Sequence, residues 1–222
     1  MSVWAVLAAA GCGDRLGLDR PKAFAPLGDG VLLAVSLQRL NDSDWIAGIV
    51  IAVPPDWDEP SILLAEELAC EKVATAVTGG ETRAESVRAA LPSVPDDAAV
   101  ILVHDAARPF VSEDVVGRVL APLSEGWDGV VPAVPVKDTV KRVRGEEIVE
   151  TVDREGLMAA QTPQAFEASV LRIALGGDIA GATDCASLVE AARGRIRVVE
   201  GDPKLLKVTD RVDLEIVSAW LD

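Results

Sequence analysis

The sequence predicts an α/β fold built on a mostly parallel, twisted sheet with helices on both faces and one protruding β-hairpin. Three observations carry that expectation. Strand-like apolar runs alternate with amphipathic stretches along the chain, the pattern of strand–helix–strand units. The first run, residues 3–10, empties into a glycine loop that holds Arg15 and is followed by Lys22. From residue 136 to 152, apolar residues scatter among charges around Gly145, a pattern too polar for the inside of a sheet.

Taken in order, residues 3–10 read as a buried strand, and the stretch from 11 to 30 has neither helical nor strand period. Such long loops tend to be functional. Residues 32–40 have helical spacing and end near Asn41-Asp42-Ser43. A strand at 48–53 leads through Pro54-Pro55 to a helix at about 62–70, and a short strand at 73–77 stops at Gly79-Gly80. Residues 82–91 are helical and closed by Pro92. A buried strand at 99–103 ends in His104-Asp105. Ser112 is placed to cap a helix reaching 123, with Glu113 and Asp114 complementing its dipole. A strand at 129–134 precedes the hairpin arm, at about 136–154. Helices follow near 164–175 and 183–192, then a strand at 196–199 and a last helix at about 210–221. An isolated hairpin is marginally stable in water, so the arm is expected to pack on a second subunit as a dimerisation element.

Length and composition fit one domain over 1–222, since 222 residues that are 50% hydrophobic can bury a full core. No apolar run is long enough to span a membrane, and the start lacks the basic and apolar regions of a secretion signal. Cys12, Cys70 and Cys185 share no metal-ligand or redox spacing, which points to a reducing, cytoplasmic setting. His104 is the single histidine, so no histidine-based metal site is expected. The net charge of −15 speaks against non-specific nucleic-acid binding, which needs a basic face. If so acidic a chain binds phosphates, its cations must be grouped. Lys137, Lys141, Arg142 and Arg144 form one such group.

A strand running into a glycine loop with cations is how α/β proteins hold a phosphate chain. Spacing excludes two familiar forms. No Gly-Lys-Ser/Thr follows Gly13, as a P-loop requires, and Gly17 comes one residue late for the third glycine of a dinucleotide fingerprint. In open α/β sheets, ligands bind beyond the carboxyl ends of the strands. The exits here carry residues 11–22, 79–83, 104–109 and 201–209, so these distant segments are expected to meet at one edge. Gly79-Gly80 lets backbone approach a flat ligand, with Arg83 and Ser86 a turn into the next helix. Asp105, following an apolar strand, can hold Mg²⁺ bound to phosphates. His104 reads as a positioned strand-end residue rather than a catalyst.

Residues 7–17 with Pro21-Lys22 resemble the opening of sugar-phosphate and polyol-phosphate nucleotidyltransferases. The likeness is narrowed by Gly79-Gly80-Glu81-Thr82-Arg83, Val103-His104-Asp105-Ala106-Ala107-Arg108-Pro109 and Lys137-Asp138-Thr139. Thr151-Val152-Asp153-Arg154, Gln161-Thr162-Pro163-Gln164, Ala182-Thr183-Asp184 and Lys207-Val208-Thr209 narrow it further. In this order, over nearly the whole chain, the segments resemble the 2-C-methyl-D-erythritol 4-phosphate cytidylyltransferases of the non-mevalonate isoprenoid pathway. The resemblance implies a Rossmann-like fold and a homodimer whose arm completes the neighbouring site. It implies transfer of the cytidylyl group of CTP to 2-C-methyl-D-erythritol 4-phosphate with Mg²⁺, giving 4-diphosphocytidyl-2-C-methyl-D-erythritol and pyrophosphate. Neither nucleic acid nor membrane is an implied partner.

By the same resemblance Arg15, Lys22 and Lys207 are the catalytic cations. Ala8, Ala9, Ala10, Gly11, Gly13, Gly80, Glu81, Ser86 and Asp105 surround CTP, with Asp105 also beside the metal. Arg108, Thr139, Arg154, Thr162 and Thr183 receive the polyol phosphate. Three positions depart from the family pattern: Ala23 where glutamine is usual, Cys185 where an acid often follows Thr-Asp, and Leu206 where asparagine is common. None removes a charge assigned to the chemistry. Two other readings stay open: a cytidylyltransferase for another polyol phosphate such as ribitol 5-phosphate, and a non-catalytic nucleotide-binding regulator on the same fold.

Overall fold

Uninterrupted aliphatic runs form the centre of the molecule, because a strand covered on both faces needs no polar alternation. The computed structural model describes residues 2–11, 13 and 16–221. Its elements, in chain order, are β1 (Val3–Ala8), β2 (Pro26–Leu27), β3 (Gly30–Val31), α1 (Leu32–Asp42), β4 (Gly48–Val53), α2 (Asp58–Glu67), β5 (Val73–Thr78) and α3 (Arg83–Ala90). Then come β6 (Val100–Asp105), α4 (Glu113–Leu120), β7 (Gly129–Pro135), β8 (Val140–Arg144), β9 (Glu147–Val152) and β10 (Met158–Ala160). The chain ends with β11 (Gln164–Glu167), α5 (Ala168–Gly176), α6 (Cys185–Ala191), β12 (Ile196–Glu200) and α7 (Arg211–Ser218).

An eight-stranded sheet runs β5-β4-β1-β6-β11-β7-β12, with β10 taking the place of β11 along the far end of β7. β10 and β11 pair antiparallel with their neighbours; the other pairings in this sheet are parallel. Side chains alternate between its faces. Ala5, Leu7, Ile49, Ile51 and Leu102 pack with α1, α2 and α4, whereas Val6, Val50, Ile101 and Val103 pack with α3, α5 and α6. The mostly parallel sheet covered on both faces is therefore as expected.

The strand order reverses at β1, which lies between β4 and β6. A reversal of this kind opens a crevice at the carboxyl ends. A third apolar cluster closes the rim of that crevice. Leu16, Ala25, Leu27, Leu32, Phe110, Val208 and Val217 pack together, joining the opening loop, the exit of β6 and α7.

Besides β10, which the sequence did not lead us to expect, four elements differ from the sequence expectation. The helix expected near 164–175 begins only at Ala168, because Gln164–Glu167 inserts as β11 between β6 and β7. Its Ala165 and Phe166 are fully buried, and their apolar pattern merges with that of the following helix. The helix expected at 62–70 starts at Asp58, with Pro60 in its first turn, where a missing N–H costs nothing. The stretch from 11 to 30 is not featureless: it holds a 3₁₀ turn at Lys22–Phe24 and the β2–β3 ladder. The strand expected to end at 103 continues through His104 and Asp105.

The hairpin exists as expected: β8 and β9 pair with each other in a two-stranded sheet of their own. Val143 is 60% and Ile148 59% exposed on it. Cross-strand bonds join Arg142 to Glu150 and Lys141 to Thr151.

Phe166 sits against Gly129, where a Cβ would lie 2.5 Å from its ring. Phe166→Ala should leave a cavity where β11 joins the two halves of the sheet and destabilise the protein by about 3–5 kcal/mol. Urea unfolding monitored by circular dichroism measures this loss.

Candidate functional site

Four sheet exits do meet. Ala8, Ala9, Ala10, Gly11, Lys22, Gly80, Glu81, Thr82, Arg83, Ser86, Asp105 and Lys207 line one cleft of about 140 Å³. A wider, open groove of about 750 Å³ adjoins it along Ala10, Gly11, Pro21, Pro54, Gly79 and Glu81. Alanine at three successive positions leaves the floor free of bulk. Ala9 N–H bonds the carbonyl of Ala52, and Ala106 N–H bonds that of Ala8, so strand ladders fix the floor on both sides.

The loop after β1 is folded back on Lys22. Lys22 N–H bonds the Gly11 carbonyl at 3.2 Å, and its Nζ donates to the Val208 carbonyl at 3.1 Å. Gly13 has φ +81°, and a Cβ there would sit 2.8 Å from Lys22 Cβ and 3.1 Å from its backbone nitrogen. Only glycine meets both conditions. Arg15 lies outside the described residues.

The opposite wall is the start of α3. A capping box ties Thr82 to Glu85, with Thr82 N–H on Glu85 Oε2 at 2.9 Å and Glu85 N–H on Thr82 Oγ1 at 3.2 Å. Ser86 Oγ accepts the Gly80 N–H at 3.1 Å and lies 2.9 Å from the Thr82 carbonyl, so it shapes the glycine turn from beneath.

Charge concentrates at the end of β6. The Asp105 carboxylate, 6% exposed, takes Arg83 Nε on Oδ1 and Lys207 Nζ on Oδ2, each at 2.7 Å. Arg108 Nε stands 4.0 Å from the same Oδ2. Burial pushes the Asp105 carboxyl up, but Arg83 and Lys207 outweigh it and hold the group well below the usual carboxylate range. Arg83 is pulled down by burial and raised more by Asp105 and Cys185, so it stays charged. Its Nη1 lies 3.3 Å from Cys185 Sγ, and burial pushes that thiol up, leaving it protonated. Thus the departure at Cys185 places a neutral thiol on Arg83 where an acid is usual.

His104 and Thr162 lie beneath this cluster. His104 is wholly buried, with Nε2 3.0 Å from the Arg108 carbonyl and Nδ1 3.1 Å from Thr162 Oγ1. Burial pushes its imidazole down to about 4, so it is neutral at physiological pH. Thr162 Oγ1 also accepts the Asp105 N–H at 3.1 Å. The hydroxyl expected to receive the polyol is therefore engaged inside the protein. Arg108, likewise expected on the polyol phosphate, donates through Nη1 to the Leu205 carbonyl, and burial lowers it.

The cleft thus gathers the residues expected around the nucleotide, with Gly13 supporting Lys22 from behind. Thr139, Arg154 and Thr183 are exposed and do not line it. Arg154 donates to the Lys137 carbonyl at the root of the arm. The sequence placed Arg83 beside the glycine turn and read His104 as a positioned strand-end residue, but gave neither a role in the site. A counter-ion demand at buried Asp105 is the one signal that points to Arg83. Among the described residues, no group of three or more His, Cys, Asp or Glu side chains forms a metal-binding cluster. Among the described residues, Asp105 is the cleft carboxylate backed by cations, a donor suited to a cation that arrives on phosphates.

Comparison with known proteins finds relatives over the full length of the chain. The family model described as 2-C-methyl-D-erythritol 4-phosphate cytidylyltransferase matches residues 3–222. The protein of that name from Saccharopolyspora erythraea is 43% identical, with both chains covered in full. The one from Nocardia farcinica is 41% identical, over 100% of this chain and 94% of its own. The solved structure of the Francisella tularensis enzyme superimposes with a TM-score of 0.84 at 30% identity, covering 99% of each chain.

The buried groups set a pH dependence. His104 moves from 6.5 to about 4 on folding, so between those values the unfolded chain binds the extra proton and stability falls as pH falls. Asp105 acts in the same direction lower down: its contribution is present above 3.8 and is lost as acid drives its protonation. Urea midpoints should therefore decline steadily below pH ~6.5. A flat profile down to pH ~4 would contradict the burial of His104 as a neutral ring.

Proposed function

The chain belongs to the 2-C-methyl-D-erythritol 4-phosphate cytidylyltransferase family, and from that premise we propose how its strand-exit cleft carries the reaction. The enzyme transfers the cytidylyl group of CTP to 2-C-methyl-D-erythritol 4-phosphate, releasing pyrophosphate and giving 4-diphosphocytidyl-2-C-methyl-D-erythritol. A phosphate oxygen of the polyol attacks the α-phosphorus of CTP in line. Both reactants are anions, so the barrier is charge repulsion and alignment, and fixed cations lower it.

The observation that carries this reading is the meeting of Lys22, Lys207 and Asp105 around the Ala8–Gly11 floor. Lys22 and Lys207, with Arg15 from the same loop, neutralise the triphosphate and the charge of the transition state. Lys207 bonds Asp105 at 2.7 Å, at the side of the cleft where the phosphates would lie. Asp105 would hold Mg²⁺ brought in on the nucleotide, and that cation would supply further charge neutralisation at the phosphates. The small floor residues, Gly80, Glu81 and Ser86 enclose the cytidine, since close backbone contact excludes a larger purine. Arg108, Thr183 and, from the arm of a second copy, Thr139 and Arg154 receive the polyol phosphate. Thr162 serves that half of the site from below, through its bonds to His104 and Asp105. The substrate phosphate is already ionised, so no covalent intermediate is needed. Cytoplasm is the setting that suits free Cys70 and Cys185.

Pyrophosphate release from CTP should depend on 2-C-methyl-D-erythritol 4-phosphate. Turnover with ribitol 5-phosphate instead would overturn the choice of polyol. Lys22→Ala and Lys207→Ala should each lower kcat by roughly 10²–10³, measured by pyrophosphate release at saturating substrates. Mixing Arg154→Ala with Lys22→Ala protein should restore activity, because each mixed dimer keeps one intact site if the arm acts in trans. No recovery despite demonstrated subunit exchange would argue against a shared site.

A further inference from the structure

His104 is the chain's single histidine and is 0% exposed, yet both ring nitrogens have partners from the polyol half of the site. The Arg108 carbonyl can only accept, so Nε2 carries the proton and Nδ1 accepts from the Thr162 hydroxyl. The Thr162 oxygen in turn accepts the Asp105 N–H. An unbroken line of hydrogen bonds thus runs from the backbone of Arg108, through the imidazole and Thr162, to the backbone of Asp105. It joins the exit of β6 to the segment that enters β11.

Arg108 is the residue this line serves. Its Nη1 holds the Leu205 carbonyl, while its buried Nε has no hydrogen-bond partner. A guanidinium held in place with an unused buried donor is prepared for an anion. The Asp105 carboxylate is hydrogen-bonded by Arg83 and Lys207, with Arg108 Nε farther off at 4.0 Å, and the floor at Ala8 and Ala9 is held by bonds to the neighbouring strands. None of those bonds passes through the imidazole.

We propose that His104 is a positioning residue for the polyol phosphate: it fixes the Arg108 backbone and the Thr162 hydroxyl in one register, so that Arg108 meets the incoming phosphate already aimed. The inference rests on the reading of Arg108 as the polyol-phosphate receiver.

Three variants separate this role from general support of the fold. His104→Phe keeps the ring shape and removes both bonds. His104→Asn keeps an acceptor for Thr162, and His104→Gln keeps a donor for Arg108. In His104→Phe, kcat/KM for 2-C-methyl-D-erythritol 4-phosphate should fall about 10- to 100-fold, the effect of leaving two buried groups unpaired. CTP affinity, measured by calorimetry without the polyol, should not change, and Asn and Gln should each recover part of the loss. Equal losses for both substrates would reduce His104 to a core residue and overturn the proposal. So would wild-type kcat/KM in the Phe variant or, should that protein not fold, in both amide variants. If the wild type uses ribitol 5-phosphate instead, the choice of polyol fails, and the same comparison with that substrate still decides the role of His104. Independently of turnover, ¹⁵N imidazole spectra of the wild type should show the Nε2–H tautomer. The Nδ1–H tautomer would break the line at Arg108 and overturn the inference.

Discussion

The carboxylate of Asp105 holds the site together. It sits at the last residue of a buried strand, where an unpaired charge is not tolerated, and it binds Arg83 and Lys207 at 2.7 Å each. Two consequences follow from one group. The strand end can remain buried although it is ionised, and cations from α3 and from the 201–209 segment are drawn to one point. Arg83, Arg108 and Lys207 against Asp105 leave a local surplus of positive charge in a chain whose net charge is −15. A low-dielectric crevice strengthens that surplus for ligands inside it, while the acidic exterior repels anions elsewhere. Cys185 contributes to the same balance. An acid at that position would share Arg83 with Asp105; the protonated thiol leaves Asp105 as its sole full counter-charge among the described contacts.

The two halves of the cleft are supported by different physics. The side proposed for the nucleotide rests on backbone: bonds to neighbouring strands at Ala8 and Ala9, a capping box at Thr82, a glycine at 13 that lets the Lys22 main chain come close, and one at 80 that makes room for Glu85. The side proposed for the polyol, next to the cleft, rests on side chains, through His104, Thr162, Arg108 and the bond from Gln161 to Asp202. Backbone contact discriminates by size, whereas a network of side chains discriminates by the position of a charge. This division suits the proposed assignment of a small base to the first side and a phosphate to be aligned to the second.

The central strands were legible because aliphatic runs such as Ala99–Val103 have few other readings, and the convergence of their exits followed from the general rule for open sheets. β11 was not legible. Gln164-Ala165-Phe166-Glu167 is too short to show its own period, and its apolar pair continues into that of α5. Of the site, the small residues, Lys22, Asp105 and Lys207 could be named from their segments. The roles of Arg83 and Cys185 could not, since their bonds span 22 and 102 positions along the chain. Thr162 stood in a recognisable segment, but a motif does not show that a hydroxyl is already engaged. Its two internal bonds appear only once β6 and the 161–164 segment lie side by side.

The small cluster of Leu16, Ala25, Leu27, Leu32, Phe110, Val208 and Val217 stands apart from the two large cores on either side of the sheet. Cooperative units of this size open with less free energy than the whole molecule. The loop bearing Lys22 and the segment bearing Lys207 meet in this cluster, and Lys22 Nζ reaches the Val208 carbonyl beside it. They are therefore tied to one another through the same contacts. Amide exchange would register them as one unit while the parallel strands remain protected. The cationic rim of the cleft thus rests on a few apolar contacts of its own rather than on the cores of the sheet.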